Sequence, residues 1–276
     1  MPRGIPPGKC WLAKAQVFRK SDLTQIHFWP MISIRIALLS IFIVLAGATF
    51  KKPVTVYMVG DSTMANKGPE KFPETGWGMV FQEYFKDGVK IDNRAMDGRS
   101  TKSFIAENRW QGVYDKLQPG DYVFIEFGHN DEKIDRPLVG TTIEEFSANL
   151  TRFIHDTRAK GATPILMTPI VRRIYDRATG QLKNSHGLYP DAVREVAAQE
   201  HVVLIDMLAK SDMLVQQTGE EPSKKYYNFA DSAQYANYPR GIQDVTHLSP
   251  LGAHKVAELA VAGIKQSTLP LKDLLK

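Results

Sequence analysis

Cysteine is almost missing from this chain. Cys10 is the only one in 276 residues, which excludes a disulfide framework and any thiolate-rich metal site. An apolar run long enough to span a bilayer comfortably is missing as well. The most apolar stretch, residues 36–48 (IALLSIFIVLAGA), has 13 residues, against the roughly 20 that a spanning helix needs. There is no internal repeat and no linker-like segment. Nor is there a charge excess in the body of the chain. The net charge is +5, but six of the 35 basic residues and only one of the 30 acidic ones lie in residues 1–48, which leaves 29 of each in residues 49–276. A neutral body removes the electrostatic basis for binding nucleic acid. At 43% hydrophobic and 24% charged residues, the composition is that of a globular chain and excludes disorder or a collagen-like fibre.

Arg35 precedes the short apolar run and Ala46-Gly47-Ala48 closes it. A positive residue, a short apolar core and a small-residue end are the build of a secretory signal peptide. The alternatives are an uncleaved anchor and a buried helix. Met31 opens the pattern well, so residues 1–30 are expected to be an over-extended N-terminus, 31–48 a signal peptide and 49–276 the catalytic domain. Export to the periplasm or the extracellular space follows. No cysteine follows the apolar run to carry a lipid anchor, and the mature form is expected to make no membrane contact.

From residue 54 onward, apolar strands alternate with amphipathic segments. Strands are expected at 54–59 (VTVYMV), 89–93, 122–127 (YVFIEF), 163–167 (TPILM) and 202–205. Helices are expected at 76–85, 103–117 with a break at Gly112, 142–160, 191–200 and 249–265. Such alternation argues a five-stranded parallel sheet with both faces covered. Residues 211–245 show no clear period and read as a long irregular segment, or two short helices.

Ligands of such sheets bind beyond the carboxyl ends of the strands. Four segments there are polar or glycine-rich: Gly60-Asp61-Ser62-Thr63, 93–100 (NRAMDGRS), Gly128-His129-Asn130-Asp131 and 168–173 (TPIVRR). Asp244 and His247 stand near the carboxyl terminus. A serine becomes a nucleophile only when a base takes its proton and a third group orients the base. Ser62 at a strand-to-helix turn would present its hydroxyl above the sheet. Three-residue spacing on a helical turn would let Asp244 hold one imidazole nitrogen of His247 while the other faces the serine. Taken alone, Ser62 reads more simply as a helix N-cap, and an isolated D-x-x-H pair reads as a cap or surface pair. Gly98 can offer a bare N–H and Asn130 an amide to a developing oxyanion; alone they read as a turn and an Asx cap.

Together these segments resemble the four blocks of the SGNH (GDSL-type) hydrolase superfamily: Gly60-Asp61-Ser62, Gly98, Gly128-His129-Asn130-Asp131 and Asp244-Val245-Thr246-His247. Gly60-Asp61-Ser62-Thr63, Gly98-Arg99-Ser100, Phe127-Gly128-His129-Asn130-Asp131 and Thr246-His247-Leu248-Ser249 are similar to the rhamnogalacturonan acetylesterase branch. The resemblance implies a three-layer α/β/α sandwich of flavodoxin-like type. It implies Ser62 as nucleophile, His247 as base, Asp244 as its orienter, and an oxyanion hole of the Ser62 N–H, the Gly98 N–H and the Asn130 side chain. No metal or organic cofactor is needed for that chemistry. The expected substrate is an acetylated polysaccharide or oligosaccharide, the expected default state a monomer. Arg99 and Arg172 could pair with carboxylates of an acidic sugar chain, or could be solvated surface charge. Tyr235 is a candidate wall for sugar rings. His129 is expected to support its block, and His186 to be a surface or helix residue. The alternatives are an acetylxylan esterase, a lipase or lysophospholipase, and a non-catalytic carbohydrate-binding relative.

Overall fold

A computed structural model describes residues 53–276; the expected leader (1–30 and 31–48) and Cys10 lie outside the described residues. Five strands, β1 (Val54–Gly60), β2 (Val89–Asn93), β3 (Tyr122–Glu126), β4 (Thr163–Met167) and β5 (Val203–Ile205), form one parallel sheet in the order β2-β1-β3-β4-β5. Side chains alternate across a strand, so each strand feeds two cores. Val56 and Met58 of β1 and Phe124 of β3 enter one core; Tyr57, Val59, Val123 and Ile125 enter the other. The second core is closed by α1 (Thr101–Ala106), α2 (Arg109–Tyr114), α3 (Ile143–Ala159) and α4 (Tyr189–Gln199). The first is closed by α5 (Met207–Thr218) and by the C-terminal helix of Pro250–Gln266. This is the expected three-layer sandwich, and its order reverses at β1, which has β2 on one side and β3 on the other. The crevice at that reversal is where such sheets bind ligands.

The local structure departs from expectation where tertiary contacts capture backbone groups. Residues 76–85 form two 3-10 turns, Trp77–Met79 and Phe81–Tyr84, rather than one helix. The N–H groups of Trp77 and Gly78 donate to the carbonyls of Thr63 and Met64 and tie the segment to the chain after β1, while its own bonds close over three residues, Met79 N–H to Gly76 and Val80 N–H to Trp77. The 103–117 helix breaks at Asn108, in the left-handed region at φ 56°, not at Gly112, which lies inside α2. Asparagine tolerates that region better than most residues. Segment 211–245 is ordered. It holds most of α5, the short helix α6 (Glu220–Ser223), and an antiparallel hairpin of β6 (Tyr227–Ala230) and β7 (Ile242–Leu248). A register irregularity between Tyr227 and Phe229 blurs the period of two in this hairpin. The C-terminal helix follows directly as α7.

Candidate active site

Ser62 lies two residues beyond β1. No helix follows it. Residues 61–65 make a single turn in which the N–H groups of Met64 and Ala65 donate to the Asp61 carbonyl. The helix N-cap that Ser62 taken alone would suggest is therefore missing. The turn is held by side chains instead: Asp61 Oδ1 accepts the Thr63 N–H and Oγ1–H, each at 3.0 Å. From the far side Gly76 presses so close that a Cβ there would sit 2.0 Å from the Ala65 carbonyl oxygen.

Asp244 and His247 are on β7, not on a helical turn. Asp244 Oδ1 accepts the N–H groups of Thr246 at 2.8 Å and His247 at 3.0 Å. This side-chain turn curls the strand end and brings residues three apart onto one side. His247 Nδ1 donates to Asp244 Oδ2 at 2.7 Å, and Nε2 accepts from Ser62 Oγ at 2.9 Å. The hydrogen-bond chain carboxylate–imidazole–hydroxyl is continuous across 185 residues of sequence. Burial works to lower the His247 pKa, but the hydrogen bond and charge of Asp244 outweigh it and leave it raised. Burial likewise works to raise Asp244, and the donors His247 and Thr246 bring it below the ordinary range.

The oxyanion candidates lie on neighbouring segments. The chain after β2 continues beside β1: the N–H of Arg94 donates to the Met58 carbonyl and that of Met96 to the Gly60 carbonyl. Gly98, two residues further on, has φ +75°, which a side chain would strain. Asn130 Nδ2 donates to the Arg99 carbonyl at 3.0 Å and so is tied to this segment, while its Oδ1 accepts from Lys133 Nζ. One amide proton of Asn130 remains uncommitted. The N–H groups of Ser62 and Gly98 meet no acceptor among the described residues.

The arginines are less free than expected. Arg172 Nη2 pairs with Glu132 and bonds the His129 carbonyl, and Nη1 bonds the Ser185 carbonyl. Arg99 Nε pairs with Glu107 and Nη1 bonds the Asp97 carbonyl. Tyr235 lies edge-on to the exposed Phe72, with centroids 5.6 Å apart. Asn237 fastens the Tyr235 loop by donating to the carbonyls of Pro69 and Phe72. Thr75 N–H in turn bonds the Leu248 carbonyl, next to His247. His129 is buried and edge-on to His186; burial lowers its pKa well below the ordinary value. His186 is buried rather than on the surface, with Nδ1 at 2.9 Å from Glu132 and Nε2 at 2.9 Å from the Ile170 carbonyl. No acid lies near it in sequence, so spacing could not reveal the pair with Glu132. Sequence reasoning also missed Glu126, and gave no role to Asp131 within its block; both are buried. Their positions within or just after an apolar strand were the available signal.

The family model for the GDSL-like lipase/acylhydrolase family matches residues 58–255. Rhamnogalacturonan acetylesterase RhgT of Bacillus subtilis (strain 168) is 41% identical over 225 residues, 82% of this chain and 95% of its own length. The crystal structure of protein YxiM from Bacillus subtilis is similar with a TM-score of 0.68 and 25% identity, covering 79% of this chain, which spans 57% of that one. Axe2, an acetylxylan esterase from Geobacillus stearothermophilus, has the same fold with a TM-score of 0.55 at 18% identity, over 78% of this chain and 97% of its own. The chain belongs to the GDSL-like lipase/acylhydrolase family, the SGNH fold that its four blocks foretold, and is a carboxylic ester hydrolase.

Proposed function

We propose that the protein is an exported serine esterase that removes acetyl groups from a plant cell-wall polysaccharide, rhamnogalacturonan above all. The observation that carries the reading is the unbroken chain Asp244–His247–Ser62. His247 Nε2 takes the Ser62 proton as Oγ attacks the ester carbonyl. The oxyanion draws on the N–H groups of Ser62 and Gly98 and the second amide proton of Asn130, each donor contributing roughly 3–4 kcal/mol. His247 returns the proton to the departing sugar hydroxyl, leaving an acyl-serine. Water, deprotonated by His247, then attacks it and releases acetate.

The 41% identity to a rhamnogalacturonan acetylesterase supports the substrate. Phe72 and Tyr235, fastened together on the loops flanking His247, offer an aromatic wall to a sugar ring. Arg172 serves the protein by holding the 128–132 segment, and Arg99 keeps partial exposure beside Gly98. The experiment is acetate release from acetylated rhamnogalacturonan against acetylated xylan. Preference for xylan refutes the pectic assignment. Export is supported by the signal-like pattern at 31–48; a reporter fused after residue 48 that stays in the cytoplasm refutes it.

One observation favours a lipid ester as second reading. Ile134 and Leu138, on the loop that follows Asn130, are 72% and 84% exposed. Rates that rise from acetyl to longer acyl chains would favour it; rates that fall favour the acetylesterase.

A further inference from the structure

Behind the nucleophile turn lies a pair of carboxyl groups that the hydrolytic steps never touch. Asp61 and Glu126 are 0% and 1% exposed. Thr63 Oγ1 stands between them, 3.0 Å from Asp61 Oδ1 and 3.1 Å from Glu126 Oε1. A threonine hydroxyl has one proton to give. Were both carboxyls ionised, one of these contacts would be oxygen facing oxygen with no hydrogen between, and two anions would share a dry site. A single added proton removes the conflict. Glu126 Oε1–H donates to Thr63 Oγ1, and Thr63 Oγ1–H donates to Asp61 Oδ1. The other oxygen, Glu126 Oε2, accepts from Trp77 Nε1 at 2.8 Å. Each carboxyl also has N–H donors, Thr63 N–H for Asp61 and Trp77 Nε1–H and Ile170 N–H for Glu126; the charges of His247 and His186 are what favour the anion on Asp61.

We infer that Glu126, held as the neutral acid, is a positioning residue for the nucleophile: through Thr63 and Asp61 it locks the turn that aims the hydroxyl and N–H of Ser62. Burial, and next the charge of Asp61, push Glu126 up to about 8. The groups facing it are Asp61 and Thr63 from the turn, Trp77 from the 3-10 segment, and the Ile170 N–H from beyond β4. Burial raises the Asp61 carboxyl as well, opposed by the Thr63 donors and by the charges of His247 and His186. Above that pH the acid ionises, the donor to Thr63 is lost, and the turn loosens.

The inference rests on Ser62 being the nucleophile, so the test includes Ser62→Ala. Steady-state hydrolysis of a short aryl acetate, corrected for spontaneous hydrolysis, is followed across the neutral and alkaline range. Wild-type kcat is expected to fall above about pH 8. Glu126→Gln, whose amide donates to Thr63 and whose oxygen accepts from Trp77, is expected to keep kcat within about threefold at neutral pH and to lose the alkaline fall. Glu126→Ala is expected to lower kcat by about 100-fold with KM little changed. If Glu126→Ala does not fold, Glu126→Gln and an infrared difference spectrum still decide. The wild type should lose a protonated-carboxyl band near pH 8 that Glu126→Gln does not show, the loss from Asp131 near pH 7 being common to both. An alkaline limb shared by wild type and Glu126→Gln, or a Gln variant as damaged as the Ala variant, overturns the inference. Full turnover by Ser62→Ala overturns the nucleophile itself, and this inference with it; an inactive Ser62→Ala beside a failed Glu126→Gln result overturns the inference alone.

Discussion

Each member of the hydrogen-bond chain does work that a different substitution isolates. Ser62→Ala removes the proposed attacking atom and is expected to abolish ester turnover while leaving thermal stability unchanged. Asp244 is less simple, because one oxygen shapes the backbone and the other orients the imidazole. Asp244→Asn keeps an acceptor for the N–H groups of Thr246 and His247. Its amide faces Nδ1, however, and forces that nitrogen to accept, so that Nε2 carries the proton and cannot take one from Ser62. A drop in kcat of about 10³–10⁴ with nearly unchanged melting temperature is expected, by analogy with serine triads. Asp244→Ala should lower both, and equal melting temperatures for the two variants would contradict the double role. The base must be neutral to act, and its pKa is raised above the ordinary 6.5. Activity should therefore rise with pH through a midpoint above 6.5. A kcat/KM profile already flat at that value would show that Asp244 does not hold the imidazolium in place.

Among the elements, the short turn after β1 depends on what presses against it more than on its own sequence. Gly76→Ala would push a methyl group into the Ala65 carbonyl. A loss of roughly 1–3 kcal/mol in stability is expected for such overpacking. A fall in kcat should accompany it, because the displaced backbone is the one carrying Ser62; chemical denaturation and esterase assay together check this. An unchanged midpoint and rate would mean that the turn yields freely. The same dependence explains which elements were legible. Helix α3 was read nearly to the residue, since Thr142 and Glu145 form a capping box and Phe146, Leu150, Phe153 and Ile154 recur on one face. Segment 76–85 carried a helical spacing too, but Trp77 and Gly78 tie it to the carbonyls of Thr63 and Met64 and its own bonds close as 3-10 turns, which no local pattern announces. Asp244 and His247 were rightly paired for the wrong local reason: an Asx turn on a strand achieves the convergence that a helical turn was expected to give. Glu126 escaped, and the surroundings of His186 and Asp131 with it, because their partners are distant in sequence.

For the molecule as a whole, the sheet order was legible only as a class. Alternation announces a parallel sheet, and the reversal at β1 is a consequence of which crossovers run to which side. What that architecture buries has a cost that pH can expose. Glu126 is pushed up to about 8 and Asp131 to about 7, in both cases chiefly by burial. Between the unfolded value of a glutamate or aspartate and these raised values, the folded state holds protons that the unfolded chain has released. Stability is thus complete below the unfolded pKa and declines as pH rises through the folded one, by about 1.4 kcal/mol per pH unit for each such proton. His247, also raised, acts in the same direction. His129, lowered by burial, acts oppositely, but only below the ordinary histidine value of 6.5; above it the two acids and His247 act together. The melting temperature should therefore fall steadily from about pH 6.5 to about pH 8. Glu126→Gln should lessen the fall throughout and leave little of it above about pH 7, whereas Asp131→Asn should lessen it only below about pH 7. Scanning calorimetry across that window decides, and a melting temperature that holds or climbs would mean that these carboxyls are ionised in the folded protein after all.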